Sequence, residues 1–211
     1  MVKMNSVKLV VLGDDHVGKS AVTVRFLTKR FIGEYDSNAD LVYKQCLAIN
    51  DSHIELEVLD SANKKNTSMP SDDALNWADA FAVVYSICDK KSFDRARTLI
   101  RGIQESRSPS HVPVILIANK LDLEHTRQVM VNDGMKLSDE VGCQFVEVSA
   151  ADGVDDIVNA FQTLIREVTA LSPTAKRRKN SFGTVSKAIS SFFSSKNKNL
   201  NSNSKRKMYA Y

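Results

Sequence analysis

Two rhythms of apolar residues alternate along this chain. Short continuous apolar runs at Val7 to Leu12, Phe81 to Ile87, Pro113 to Ala118 and Phe145 to Val148 each give way to a stretch where apolar residues return every three or four positions. The runs are too short for helices and read as strands buried on both faces, while the spaced stretches read as amphipathic helices over Ala21 to Lys29, Ser92 to Gln104, Val131 to Val141 and Val154 to Leu171. Only one region follows the period-two pattern. There Leu41 to Asn50 alternates, Asn50-Asp51-Ser52 supplies a hairpin turn, and His53 to Leu59 puts Ile54, Leu56 and Val58 on one face before ending at Asp60. Phe31 to Leu41 is polar and turn-like. Ser61 to Asp73 is polar and contains Pro70, which predicts a mobile loop leading into a short helix over Ala74 to Trp77. Strands that alternate with helices in this way predict an α/β fold with a mostly parallel, doubly wound sheet whose ligands sit at the carboxyl ends of the strands.

Composition limits the picture further. With 211 residues, 43% of them hydrophobic, the chain has material for one full core and an appendage. Cys46, Cys88 and Cys143 are an odd number without CxxC spacing, so neither a disulfide framework nor a zinc site is expected, and a reducing, cytoplasmic setting fits. No apolar run approaches the roughly 20 residues of a membrane span, and the N-terminus lacks the apolar core of a signal peptide. The net charge of +4 hides a division of the chain: residues 172–211 hold ten Lys or Arg and no acid, leaving 19 basic against 25 acidic residues in the remainder. Two units follow: a globular domain over 1–171 and a basic tail over 172–211, expected to be disordered when free.

The chemistry begins where the first strand meets the first helix. Gly13-Asp14-Asp15-His16-Val17-Gly18-Lys19-Ser20, followed by Ala21, fits GxxxxGK[ST] in the strand-to-helix context that a phosphate-binding loop requires. Glycines let successive backbone N–H groups turn around an anion, and the helix N-terminus adds its partial positive charge. Lys19 would reach the β- and γ-phosphates, and the Ser20 hydroxyl would ligate Mg²⁺. His16 could add a protonated imidazole at low pH. The other histidines, His53, His111 and His125, have no metal-ligand spacing and read as surface or turn residues.

Two more polar segments leave strands on the same side. Asn119-Lys120-Leu121-Asp122 is an NKxD element, and Glu147-Val148-Ser149-Ala150 ends the following strand. Together they point to guanine. A carboxylate such as Asp122 can accept from the N1–H and N2–H₂ edge of that base, whereas adenine presents an acceptor at N1 and leaves the charge unsatisfied.

Across residues 7 to 171 these motifs resemble the Ras family of small GTPases. Within it, Arg25-Phe-Leu-Thr-Lys-Arg-Phe-Ile-Gly-Glu-Tyr35, Asn76-Trp-Ala-Asp79 and Cys143-Gln-Phe are most similar to the RERG (estrogen-regulated growth inhibitor) and RERG-like subgroup, with Ras-like families eleven and twelve close behind. The resemblance implies a P-loop fold of six strands and five helices, GTP and GDP as ligands, Mg²⁺ as cofactor, a monomer, and effector proteins bound through two switch loops. It also implies that Phe31 lies over the guanine face, Asn119 and Asp122 hold the base edge, Lys120 packs beside the base, the Ala150 N–H meets O6, and Asp60 holds Mg²⁺ through water. Trp77 reads as a packing anchor near the second switch.

Four positions depart from the family pattern. Lys64 stands where a glutamine orients the attacking water, and a lysine has donors only. Asn63 replaces a glycine whose N–H senses the γ-phosphate, Asn38 replaces the threonine that completes the Mg²⁺ shell, and Asp15 replaces a glycine facing the γ-phosphate, with Asp14 a second acid beside it. The expectation is an intact base pocket with slow hydrolysis, the alternative being a pseudo-GTPase that binds without turnover. The tail ends Lys207-Met-Tyr-Ala-Tyr211 and has no cysteine, so no lipid anchor is expected on it. Phe182, Val185, Ile189, Phe192 and Phe193 recur at helical spacing, which leaves three readings open: an amphipathic helix on an anionic membrane, nuclear or nucleic-acid addressing through Lys176 to Lys179, or a solvated tail.

Overall fold

The computed structural model describes residues 5–32, 40–49, 52–62 and 69–171. Six strands, β1 (Asn5–Gly13), β2 (Leu41–Ile49), β3 (Ser52–Asp60), β4 (Ala80–Ser86), β5 (Val114–Asn119) and β6 (Gln144–Glu147), form one sheet in the order β2-β3-β1-β4-β5-β6. Only β2 runs antiparallel, paired with β3 from Leu41↔Asp60 to Ile49↔Ser52. The other pairings are all parallel. The sheet is therefore the mostly parallel one expected.

Five α-helices flank it among the described residues: α1 (Lys19–Thr28), α2 (Asp72–Trp77), α3 (Lys90–Arg107), α4 (Val131–Val141) and α5 (Asp155–Leu171). The continuous apolar runs are explained by the two layers they face. Val7, Leu9 and Val11 of β1 join one core with Val22 and Phe26 of α1 and Phe161, Leu164 and Ile165 of α5. Val10 and Leu12 point the other way, into a second core with Leu75 of α2, Phe93 and Ile100 of α3 and Leu137 of α4. A strand with helices on both sides has no polar face to present. In the first core the Phe26 and Phe161 rings stack at 4.4 Å.

Three helix starts lie earlier than the apolar spacing predicts: α1 begins at Lys19 rather than Ala21, and capping side chains define the other two. Ser71 accepts from the Ala74 N–H at 3.2 Å and starts α2 at Asp72, and Asp89 accepts from the Lys91 N–H at 2.9 Å and starts α3 at Lys90. A kinked 3-10 segment, Leu121–Thr126, was not expected from the sequence, since its apolar residues Leu121 and Leu123 stay exposed and give no periodic signal. Residues 50 and 51 of the expected hairpin turn lie outside the described residues, as do Asn38, Asn63, Lys64 and the whole of 172–211. Among the described residues no helix is long and apolar enough to cross a membrane.

Topology fixes where a ligand can sit. The chain leaves β1, builds β2 and β3 on one side, and then crosses to β4, β5 and β6 on the other. The crevice outside the carboxyl ends at this reversal is the binding position of doubly wound sheets. The loops after β1, β3, β5 and β6 all open there.

Candidate nucleotide site

Residues 13–20 connect β1 to α1 through a backbone that few sequences can adopt. Gly13 has φ 149° and Gly18 φ 92°, and a methyl group at Gly13 would collide with the Val84 carbonyl of the neighbouring strand. His16 also has positive φ, 58°, and is exposed. Gly18 caps α1 with no side-chain hydrogen bond, and the first turn holds no acidic residue. The contrast with Ser71 and Asp89 is physical: the first N–H groups of α1 are left for an external acceptor. Val17 is buried and anchors the loop in the core, with Ala21 buried behind it.

Lys19 bends back across this loop, its Nζ donating to the Asp14 carbonyl at 2.8 Å. Burial pushes its ammonium below the ordinary lysine range, opposed by the charges of Asp15, Asp60 and Asp14. Asp15 itself is exposed, and its N–H donates to the Asp14 carboxylate at 2.9 Å.

The loops after β5 and β6 meet the phosphate loop through a single buried side chain. Asn119 is 2% exposed; its Nδ2 donates to the Val17 carbonyl at 2.9 Å and its Oδ1 accepts from the Ala150 N–H at 3.1 Å. The resemblance gives Asn119 and the Ala150 N–H to the base. Here the two groups bond each other, and Asn119 ties three loops into one unit. Asp122 is held by the Ser149 hydroxyl, which donates to Oδ1 at 2.6 Å while accepting from the Asp152 N–H at 3.0 Å. Lys120, half-buried with φ 71°, makes the turn between Asn119 and Asp122. The Leu121 N–H donates to the Val148 carbonyl at 3.1 Å, continuing the contact between the two loops beyond the sheet.

Residues 8–170 match the Ras family.

The chain belongs to the Ras family.

Among curated relatives it is 39% identical over 191 residues to the Ras-related and estrogen-regulated growth inhibitor of Homo sapiens, covering 90% of this chain and 96% of that one. It is 39% identical over 206 residues to the Ras-related and estrogen-regulated growth inhibitor-like protein of Bos taurus, covering 93% and 100%. With the Ras-like protein family member 11B of Xenopus laevis it shares 40% identity over 185 residues, 83% and 74% of the two chains. The chain is thus a Ras-like small GTPase, of a family whose members bind GTP and GDP with Mg²⁺ and are generally GTP hydrolases.

The residues present suit the Mg²⁺ that Ras-family proteins use. Asp60 ends β3 at 4% exposure, its Oδ1 has no hydrogen-bond partner, and the Ser20 hydroxyl hydrogen-bonds the carboxyl group. Burial raises the Asp60 pKa above the ordinary carboxylate value and the proximity of Asp40 adds to this, while Ser20 and Lys19 hold it down. A buried carboxylate oxygen left unpaired beside a hydroxyl is a fitting partial shell for an ion that takes its remaining ligands from phosphates and water. Among the described residues no cluster of three or more His, Cys, Asp or Glu could hold a metal without such help.

The remaining candidates of this Ras-family chain lie further out. Phe31 follows α1 at 47% exposure. The Ala62 N–H donates to the Asp40 carboxylate at 2.8 Å, linking the described ends of the two segments corresponding to the switches. Trp77 lines a groove of about 630 Å³ with Val42, Leu59, Met69 and Pro70, and the Lys8 ammonium stands 5.4 Å from its ring centre. None of residues 13–20 borders that groove. The sequence reading missed Arg127, which hydrogen-bonds Glu124 on one side and Glu147 on the other. No motif marks it.

Proposed function

We propose that this chain is a guanine-nucleotide switch whose domain over 1–171 binds GTP and GDP with Mg²⁺ and hydrolyses GTP slowly, with residues 172–211 as a separate basic extension. The observation that supports this best is Asn119 joining Val17 of the phosphate loop to Ala150 of the β6 loop. A pocket for base and phosphates at once needs those loops in fixed relation.

The roles divide by chemistry. Gly13 to Ala21 surround the phosphates with N–H groups, and Lys19 exchanges its bond to the Asp14 carbonyl for phosphate oxygens. Ser20 and, through water, Asp60 hold Mg²⁺, which neutralises phosphate charge when bound. Asp122 accepts from the N1–H and N2–H₂ edge of guanine, kept in place by Ser149, with Phe31 over the base and Lys120 beside it.

Slow hydrolysis follows from residue chemistry. Lys64 has no acceptor with which to orient a water, Asn38 offers an amide where the family has a hydroxyl, and Asp14 and Asp15 bring two carboxylates to the phosphate loop. Their field already acts on Lys19, the group that must serve the β- and γ-phosphates. The rate falls below the ~10⁻⁴ to 10⁻³ s⁻¹ of unassisted Ras. Effectors bind through the switch segments, and the three cysteines, all free, suit a cytoplasmic setting.

Titration with fluorescent mant-GDP and mant-GTP, with and without Mg²⁺, followed by single-turnover hydrolysis of GTP, tests this reading. Mg²⁺-dependent binding of both nucleotides with hydrolysis slower than Ras supports it. Absence of binding overturns the site, Mg²⁺-independent and equal binding replaces the switch with an interaction module, and a Ras-like rate removes the claim about Lys64.

A further inference from the structure

We infer that Arg127 is a positioning residue for guanine recognition, clamping the loop that holds Asp122 to the loop that holds Ser149 and Ala150. The inference rests on the guanine reading of the site. Arg127 follows the 3-10 segment, and its side chain is 7% exposed.

All five guanidinium N–H donors find acceptors. Nε donates to Glu124 at 2.9 Å and Nη2 to the same carboxylate at 2.6 Å. Nη1 donates to Glu147 at 2.6 Å and to the Val129 carbonyl at 2.9 Å, and Nη2 completes the fork to Glu147 at 3.1 Å. One planar cation thus spans two carboxylates, a geometry that the point charge of a lysine cannot copy.

The placement of those carboxylates gives the clamp its meaning. Glu124 lies two residues beyond Asp122, and Glu147 lies two residues before Ser149. The β5–β6 ladder ends at Ala118↔Glu147, so past that point the loops are no longer held by strand pairing. What joins them is the Val148 N–H to Ala118 carbonyl bond at 2.8 Å, the Leu121 N–H to Val148 carbonyl bond, the Asn119 and Ser149 bonds, and Arg127. The Arg127 fork lies at the outer end of this set. Glu147 is 15% exposed at its side chain and Glu124 61%, so the inner arm is fixed in the protein and the outer arm holds the 3-10 segment against it. Without the fork, the segment keeps its backbone tie at Leu121 and the Ser149 bond to Asp122, but the residues beyond Asp122 lose their hold on the β6 loop and the Asp122 carboxylate loses part of its fixed direction toward the base.

The consequence is specific to the base. Hypoxanthine lacks the exocyclic N2 amine of guanine, so the ratio of IDP to GDP dissociation constants reports how well Asp122 is aimed. The full-length chain is compared with Arg127→Gln, Arg127→Lys and Glu147→Gln. Arg107→Gln serves as a control, because Arg107 caps the Leu75 and Ala78 carbonyls with no contact to these loops. Displacement of mant-GDP and mant-GTP, competition by IDP, and thermal melting are measured for each.

Arg127→Gln is expected to release GDP and GTP at least tenfold faster, by similar factors for the two, and to reduce the preference for GDP over IDP at least threefold. Arg127→Lys and Glu147→Gln fall between it and the parent, while Arg107→Gln lowers the melting temperature with the preference unchanged. The inference is overturned by an unchanged preference in Arg127→Gln or, should that variant fail to fold, in both Arg127→Lys and Glu147→Gln. A change in the Arg107→Gln preference equal to theirs overturns it too. Failure of the parent chain itself to prefer GDP over IDP is a different result, which removes the guanine reading and the clamp's purpose with it.

Discussion

Replacing Asn119 by alanine removes a side chain whose amide is bonded at both ends, and the loss can be worked from its two partners. The Val17 carbonyl loses a donor at 2.9 Å and the Ala150 N–H an acceptor at 3.1 Å, both around a side chain 2% exposed. A buried polar group left without a partner costs about 1–3 kcal/mol, so two of them cost ~2–6 kcal/mol before relaxation, and about 2–4 kcal/mol once water reaches the loops. Where that free energy appears decides the test. The loops separate in the nucleotide-free chain and must be reordered on binding, so the loss falls mainly on affinity. At about 1.4 kcal/mol per tenfold, mant-GDP binding weakens roughly 30- to 700-fold. Any share retained by the fold lowers the melting temperature by about 2–4 °C per kcal/mol in a domain of this size. Asn119→Asp is at least as damaging, because it keeps the acceptor for Ala150 but turns a carboxylate oxygen toward the Val17 carbonyl. A mant-GDP release rate in Asn119→Ala within threefold of the parent, with an unchanged melting temperature, would refute the claim that this side chain holds the three loops together.

Asp60→Asn removes the buried carboxylate with almost no change of shape. Addition of EDTA, which accelerates GDP release from the parent by withdrawing Mg²⁺, is expected to have at least a tenfold smaller effect on this variant, and its nucleotide-free form melts at the same temperature or higher because an unpaired buried oxygen has lost its charge. Gly134→Ala sets helix propensity, worth ~1 kcal/mol in favour, against contact with the Phe145 ring edge at 2.5 Å and the Tyr85 hydroxyl at 2.9 Å. Tyr85 is fully buried and the Phe145 ring half-buried, so overpacking at about 1–3 kcal/mol wins and chemical denaturation shows net destabilisation. Burial raises the Cys143 thiol from 9.0 to about 12, so iodoacetamide at pH 8 labels exposed Cys46 at least a hundredfold faster in the native chain, and equal labelling contradicts the burial. With the folded pKa above the unfolded one, the native state retains a proton that the unfolded chain releases, and this group's contribution to stability declines as pH rises from 9 toward 12.

Most of the fold was legible because this sheet is covered on both faces. A strand such as β1, with Val7, Leu9 and Val11 in one core and Val10 and Leu12 in the other, cannot be mistaken for an alternating surface strand. β2 was legible for the opposite reason. It lies at the edge with exposed Leu41, Val42, Lys44 and Cys46, and its alternation with half-buried Tyr43, Gln45 and Leu47 is the mark of a strand with one wet face. The 3-10 segment was not legible because it has neither property. Its leucines face outward and its shape is set by backbone bonds from Leu121 to Val148 and from Leu123 to Lys120, partners that spacing does not reveal.

The site shows the same division between local and distant causes. A phosphate loop is local: glycines at Gly13 and Gly18 permit the positive φ values, and Lys19 follows on the first turn of the helix they open. Reading Asn119 and Asp122 as base contacts is local too, since the argument needs only a strand end and the hydrogen-bonding pattern of guanine. What the sequence could not display is that Asn119 is bonded to Val17, 102 positions away, and to Ala150, 31 away, or that Arg127 faces Glu147 across 20 residues. On the proposed reading such side chains act on the ligand by fixing other side chains. Their signature is a buried polar group whose hydrogen bonds are directed at loops, and it becomes visible only when sequence separation has been converted into distance. The departures at Lys64 and Asn38 lie in segments that the proposed reading gives to the γ-phosphate and Mg²⁺, whereas Asp122 is bonded to Ser149, Asn119 to Ala150, and Arg127 to a glutamate in each of the same two loops. On the proposed reading base affinity and hydrolysis are separable, and Lys64→Gln should change turnover while leaving the GDP-to-IDP preference where it was.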